Sequence, residues 1–392
     1  MLTYYAPPLG DATAQSATEP FAGFRRQFPR NEPEAGMAAV GRKSSGRPVV
    51  VITGASAGVG RATAMAFASR GWAVGLIARG ADGLEGARRD VEESGGAALV
   101  LPADVADANA ISAAADSVAV RWGRIDVWVN NAATTVFAPA EAITPEEFRR
   151  VTEVAYLGQV HGTLAALRHM RKAGRGTIVQ VGSALAYRSI PLQSAYCAAK
   201  AAVRGFTDSL RSELIHAGSA IRLTMVQLPA VNTPQFDWAR SRLPRRLQPV
   251  PPIHEPAAVA EAIYRAALTA PRELWLGRPT MQAILGTMVA PGLLDRMVAD
   301  RAWDGQMTAE PARPRPDNLF EPLAGDFGAQ GRFGDRSRRH VHAAGETSVR
   351  VAAAALGIGL VAGLGAAAGA AYASRRGVRI GGRRPAPRLP RR

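Results

Sequence analysis

Ser183, Tyr196 and Lys200 stand thirteen and four positions apart in this sequence. Tyr196-Cys197-Ala198-Ala199-Lys200 lies in a stretch of helical patterning, which puts the phenol and the amine at i and i+4 on one face. Ser183 ends an apolar run of strand type. A hydroxyl, a phenol and an amine brought together suit proton transfer at a carbonyl or a secondary alcohol. Free tyrosine, with a pKa of about 10, is a poor acid-base group at neutral pH. A neighbouring ammonium favours the phenolate. The serine hydroxyl can hold the substrate oxygen and steady the charge that develops on it.

A second constellation lies near the start of the patterned region. The Val-rich run from Val49 leads into Thr53-Gly54-Ala55-Ser56-Ala57-Gly58-Val59-Gly60, and a helical stretch follows. Glycines there let the backbone approach a pyrophosphate, and the helix N-terminus offers free N–H groups and the positive end of its dipole. A nicotinamide dinucleotide would bring the hydride that the first constellation needs, and its oxidised form would also favour the tyrosine phenolate. The second strand ends at Ala78-Arg79. A carboxylate there would accept from the ribose hydroxyls of NAD, whereas a guanidinium can pair with a 2′-phosphate, so NADP(H) is the expected cofactor.

These residues need a scaffold. Apolar runs at Val49–Ile52, Ala73–Ile77, Ala98–Leu101, Ile125–Val129, Thr177–Val181, Ile221–Val226 and Glu273–Leu276 read as strands. Helical patterns at Gly58–Arg70, Leu84–Ser94, Ala108–Trp122, Pro145–Lys172, Ser194–His216 and Pro256–Thr269 fill the gaps. Near-continuous apolar strands alternating with helices predict a parallel sheet covered on both faces. Right-handed crossovers make it a doubly wound α/β (Rossmann) fold, with ligands at the carboxyl edge. No solenoid repeat is present.

Together these residues resemble the short-chain dehydrogenase/reductase family over about residues 47–277, in its short single-domain branch. The family's glycine loop matches Thr53 to Gly60. The longer branch would want Gly at position 57, where Ala57 stands. The Asp near the adenine matches Asp104, followed by Val105. The Asn-Asn-Ala-Gly segment matches Asn130-Asn131-Ala132-Ala133. The resemblance implies Tyr196 as general acid/base, Lys200 tuning it and binding the nicotinamide ribose, and Ser183 orienting the substrate. It implies that Thr53, Gly54, Ser56, Gly58, Val59, Gly60, Arg79, Asp104, Val105, Asn131, Ala132 and Thr233 join Tyr196 and Lys200 in holding the cofactor. Two departures stand out. Most relatives place an Asn, part of a water relay, where this chain has Ala155. The motif after the sixth strand reads Pro229-Ala230-Val231-Asn232-Thr233-Pro234, with its Thr one residue closer than usual. Ala155 also leaves a second reading: a nucleotide-binding sensor or scaffold with a degraded site.

Other features are set aside or kept as expectations. Cys197, the one cysteine, reads as a small buried helix residue, and it excludes an internal disulfide framework and a cysteine-based zinc cage. The histidines show no metal-ligand spacing, so no metal is expected. His161 and His169 read as ordinary helix residues, and Trp72, Trp122 and Trp128 as core or core-edge aromatics. Gln235 to Ile253 falls where the family keeps a mobile lid, with Phe236, Trp238 and Leu247 able to line a pocket.

Composition bounds the rest. Hydrophobic residues make up 47% and charged residues 20% of the 392, an ordinary globular balance. The net charge of +16 would suit nucleic acid, but eight arginines lie between Ser374 and Arg392, so no nucleic-acid partner is expected. Residues 1–46 read as a flexible leader without an export signal, and Met37 offers an alternative start. Residues 47–300 form the expected catalytic domain, 301–348 a Pro/Gly/Arg-rich linker, 349–374 an apolar helix and 375–392 a basic disordered tail. Val351–Ala373 runs 23 residues without a charge, long enough to span a bilayer. Membrane association of a cytoplasmic enzyme domain is therefore expected, with a small carbonyl or alcohol substrate of lipid-like character, and a homo-oligomer.

Overall fold

The computed structural model describes residues 46–355. Its centre is an eight-stranded sheet. In chain order the strands are β1 (Val49–Thr53), β2 (Ala73–Ala78), β3 (Ala97–Pro102), β4 (Val127–Asn130), β5 (Gly176–Ser183), β6 (Ile221–Leu228), β7 (Glu273–Leu276) and β8 (Ala343–Gly345). In space they run β8-β7-β6-β5-β4-β1-β2-β3, all parallel except β8, which pairs antiparallel with β7. The order reverses between β1 and β4, which opens a crevice at the carboxyl edge.

Burial follows from this layering. Every residue of β1 and β2 is buried, as strands covered on both faces must be. Helices α1 (Gly58–Ala68), α2 (Ala81–Glu93) and α7 (Pro256–Thr269) cover one face, packing Phe67, Leu84, Val259 and Ile263 against it. Helices α3 (Ala108–Trp122), α5 (Gly158–Ala173) and α6 (Ser194–His216) cover the other with Ile111, Val118, Leu167, Met170 and Leu210. The fold is the predicted doubly wound sheet.

Pro145–Lys172, read as one helix, is broken. Helix α4 (Pro145–Thr152) starts with a capping box between Thr144 and Glu147, and a π-helical turn at Glu153–Leu157 then joins it to α5. The turn brings Ala155, fully buried, into the cluster that holds Ala195, Ala199 and the ring of Tyr196. Gly158 follows because a Cβ there would stand 2.6 Å from the Val105 side chain.

Residues 301–348, read as a linker, belong to the folded body. Helices α8 (Arg278–Val289) and α9 (Pro291–Gly305) are followed by Met307–Pro311, which pairs antiparallel with Arg245–Leu247. Ser337–Arg338 pairs with Ile253–His254, and β8 then closes the sheet's edge. Between these pairings the chain crosses the carboxyl edge, anchored by Leu319 (0% exposed) and Phe333 (5% exposed). Single buried side chains, rather than a periodic stripe, fix this segment, so its composition reads as linker.

The leader, Met37, most of the apolar run from Val351 and the basic tail lie outside the described residues. Residues 346–355 are helical. No helix among the described residues is long and apolar enough to cross a membrane, which leaves the expected membrane span without support.

Candidate active site

The glycine loop leaves β1 and turns into α1 at the carboxyl edge. Gly54 and Gly58 take positive φ (67° and 57°), and a Cβ on Gly60 would stand 2.1 Å from the Gly54 carbonyl. The loop thus folds on itself in a way only glycine allows. No side chain caps the α1 N-terminus, so its first N–H groups are free of side-chain acceptors. Thr53 ties the loop to the next strand: its hydroxyl accepts from the N–H groups of Asn131 (3.0 Å) and Ala132 (3.1 Å). The Asn131 amide donates back to the Thr53 carbonyl at 3.0 Å.

Gly54, Ser56, Gly58, Val59, Arg79, Asp104, Val105, Asn131, Ala132 and Thr233 line one cleft of about 480 Å³, and Ser183, Tyr196 and Lys200 line the same cleft. Thr53 and Gly60 stand behind the loop and shape it. Asp104 accepts from the Ala106 N–H at 3.0 Å and pairs with Arg150. The Val105 carbonyl meets Nδ1 of His161 at 2.8 Å, which gives that histidine a structural partner.

Ser183 ends β5 beside Tyr196, where it favours the ionised phenol, though less than burial opposes it. Its hydroxyl oxygen accepts from the Leu185 N–H at 3.1 Å, which fixes its position. Lys200, 1% exposed, donates from Nζ to the Val181 carbonyl at 2.8 Å, and Nζ stands 5.6 Å from the centre of the Tyr196 ring. Burial pushes the Tyr196 phenol up from its ordinary range and the Lys200 amine down to about 7. The expected lowering of the tyrosine by a neighbouring ammonium is absent here, because the amine is itself desolvated without a carboxylate beside it. Where Ala155 replaces an amide, the nearest amide along the helix is Gln159. Its Nε2 donates to the same Val181 carbonyl at 3.2 Å, and its buried Oε1 has no protein partner.

Arg79 directly follows β2, but it is engaged. Its guanidinium donates to the carbonyls of Asn318 (2.5 Å) and Phe320 (2.6 Å). Asn318, Pro322, Leu323, Gly325 and Phe327 all line the cleft, as do Pro279, Thr280, Ala283, Ala302 and Gln306 from α8, α9 and the turn after them. Sequence reasoning missed both groups, since neither carries a motif. Of the lid residues, Phe236 and Trp238 line the cleft, while Leu247 is buried among Phe137, Leu243 and Met307. Cys197 is buried, with Sγ 4.0 Å from the Ile190 carbonyl. No group of three or more metal-ligating side chains occurs among the described residues.

The model of the short chain dehydrogenase family matches residues 48–243. The chain belongs to that family. This short-chain dehydrogenase is 34% identical over 277 residues to the uncharacterized oxidoreductase YxnA of Bacillus subtilis (strain 168), covering 69% of this chain and 77% of YxnA. It is 38% identical over 222 residues to cis-4-hydroxycyclohexanecarboxylate dehydrogenase of Sinomonas cyclohexanicum, covering 55% of this chain and 87% of that enzyme. Among solved structures it is similar to an alcohol dehydrogenase from the archaeon Thermococcus sibiricus complexed with 5-hydroxy-NADP. That match has a TM-score of 0.50 and 30% identity, over 58% of this chain and 95% of that one. Levodione reductase gives a TM-score of 0.50 at 28% identity, over 57% of this chain and 90% of that one. As a family member the chain is an oxidoreductase that uses a nicotinamide cofactor and a small-molecule substrate.

Proposed function

We propose that this short-chain dehydrogenase interconverts a neutral carbonyl and its secondary alcohol with NADP(H). The observation that carries the reading is that Ser183, Tyr196 and Lys200 line the same cleft as the glycine loop. The loop geometry fits a dinucleotide: its glycines fold the backbone onto itself at the start of α1, where no side chain caps the N–H groups and the Gly58 N–H is held by the Gly328 carbonyl. When bound, the cofactor supplies or accepts the hydride. In reduction, Ser183 holds the substrate oxygen and Tyr196 gives it a proton, which its raised pKa favours holding until then. Lys200, when protonated, would supply positive charge near the phenolate and would hold the nicotinamide ribose of a bound cofactor. Thr233, packed beside Gly58, would help hold the cofactor.

NADP is favoured by Arg79, which has donors beyond the two given to carbonyls. A complex with an NADP derivative in a 30% identical relative adds to it. The substrate half of the cleft argues for an apolar substrate. Phe137, Leu185, Ile190, Phe236, Val250 and Ala283 line it, and among the described residues the only charged side chains lining the cleft are Arg79, Asp104 and Lys200. A substrate carboxylate, such as that named for the Sinomonas relative, would lack a cation there. The direct test is NADPH oxidation against a panel of neutral cyclic and aromatic ketones beside their carboxylate analogues. Turnover of neutral ketones alone is expected, and no turnover of any carbonyl would return the molecule to the sensor reading that Ala155 allows.

A further inference from the structure

The segment from Asp317 to Phe333 crosses the mouth of the cleft from one end to the other. It starts where Arg240 pairs with Asp317 (2.8 Å) and the Asn318 N–H donates to the Trp238 carbonyl (3.1 Å). It runs over Arg79 by its carbonyls at 318 and 320, and its Gly325 N–H donates to Asp82 at 2.7 Å. Asp326 pairs with Arg61 on α1, and the Gly328 carbonyl accepts from the N–H of Gly58, inside the glycine loop, at 3.1 Å. It ends where the Gly331 and Phe333 N–H groups donate to Asn232 at 3.1 and 3.0 Å.

Two properties separate the ends from the middle. Leu319 and Phe333 are buried anchors, whereas no residue from 320 to 332 is buried. The middle is held by hydrogen bonds, by the pairs of Asp326 with Arg61 and Arg89 and of Arg332 with Asp237, and by the Phe327 ring on Trp238, with none of its own side chains in a core, so it opens at lower cost than the buried anchors do. Its seat is nevertheless specific. A Cβ on Gly86 of α2 would stand 2.1 Å from an Asp326 oxygen, and one on Gly331 would stand 2.5 Å from the Thr233 carbonyl. Glycine at both positions lets the segment lie flat against the body.

We propose that residues 320–332 are a clasp of the cofactor site: they part from Arg61 and Gly58 to let the dinucleotide pass and close over it between the two anchors. The cofactor then exchanges at the pace of clasp opening, and the adenosine end meets Arg79 only while the carbonyls of Asn318 and Phe320 share it. The inference rests on the reading of the cleft as a dinucleotide site.

The test uses the full chain with Gly86→Cys and Asp326→Cys together. A Cβ at position 86 would stand 2.5 Å from the Asp326 Cγ, so the two side chains would meet, and the native Cys197 is buried. NADPH association and dissociation are followed by stopped-flow fluorescence, with the crosslink verified by intact mass. Oxidation is expected to slow both rates by at least about tenfold, with reductant restoring them, because opening is blocked. Asp326→Asn, which removes the charge facing Arg61 and Arg89, is expected to speed both rates while leaving the dissociation constant within a few-fold. Equal rates in oxidised, reduced and Asp326→Asn proteins overturn the clasp alone. Failure of the wild type to bind NADPH or NADH overturns the dinucleotide reading together with it.

Discussion

The amine of Lys200 stands 5.6 Å from the centre of the Tyr196 ring and gives a hydrogen to the Val181 carbonyl at 2.8 Å. The phenol lines the cleft beside Ser183. In this arrangement the tyrosine hydroxyl belongs to the reacting end of the cleft and the ring belongs to the packing. Tyr196→Phe should therefore drop kcat by at least about a thousandfold while the NADPH dissociation constant stays within a few-fold. Steady-state kinetics beside fluorescence titration checks both, and retained turnover would remove Tyr196 from the chemistry.

Arg79→Ala should weaken NADPH by roughly tenfold and NADH by much less, since only the former carries a 2′-phosphate. Arg79 is partly desolvated and shared with two carbonyls, which keeps the expected loss moderate. A wild type that prefers NADH would overturn the cofactor assignment.

Lys200 also makes a statement about stability. Its folded pKa is pushed down to about 7 from 10.5, so between those values the unfolded chain holds a proton that the native state has released. Stability then rises with pH across that window. In Lys200→Met this contribution is gone. Urea unfolding of the cofactor-free proteins at several pH values from 7 to 10 should show a steeper rise for the wild type. Parallel curves would mean the buried amine is not shifted.

Glu147, 2% exposed, accepts from Arg240 and Arg242 and from the Thr144 N–H of the α4 capping box. It ties α4 to the 240–242 stretch beside the cleft, and its hydrogen bonds hold its carboxyl down to about 2 despite burial. A depressed carboxyl contributes stability above its ordinary 4.5 that is lost as pH falls toward 2. Glu147→Gln should cost about 2 kcal/mol at pH 7 and flatten the acid limb of unfolding. An unchanged acid midpoint in the variant would contradict this.

Ending the chain after Pro311 should unfold or severely destabilise the domain. It removes Leu319 and Phe333 from buried sites and strips β8 from β7. Each lost buried side chain costs about 2–5 kcal/mol. Calorimetry of the shortened chain checks this; an unaltered Tm would return residues 312–348 to the status of a linker.

Much of the scaffold was legible because its signals are local. Helix α3 begins at Asp107, whose carboxylate accepts from Asn109 and Ala110, and ends at Gly123 in the left-handed region, both visible as residue types. The apolar runs that made β1 to β7 are equally local. The π turn was not legible, since a five-residue change of winding at Glu153–Leu157 leaves no mark on apolar spacing and is set by packing near Tyr196. The clasp was hidden for another reason. Arg61 and Asp326 are 265 positions apart, and Arg79 is met by backbone carbonyls, which no side-chain pattern encodes. Residue types at Ser183, Tyr196 and Lys200 pointed to the chemistry, but burial reversed the expected direction of the Tyr196 pKa shift.

Strand β8 also bears on how the chain is made. Leu274 of β7 pairs with Gly345, so the outer hydrogen-bonding groups of β7 wait for roughly 70 more residues during synthesis. At about 5–20 residues per second that edge stays bare for several seconds on a ribosome. An unpaired strand edge beside an apolar core is a template for pairing with another chain. Production of this protein should therefore be more sensitive to temperature and to holdase chaperones than the finished molecule's stability would suggest, and slower-growing hosts should raise its soluble yield.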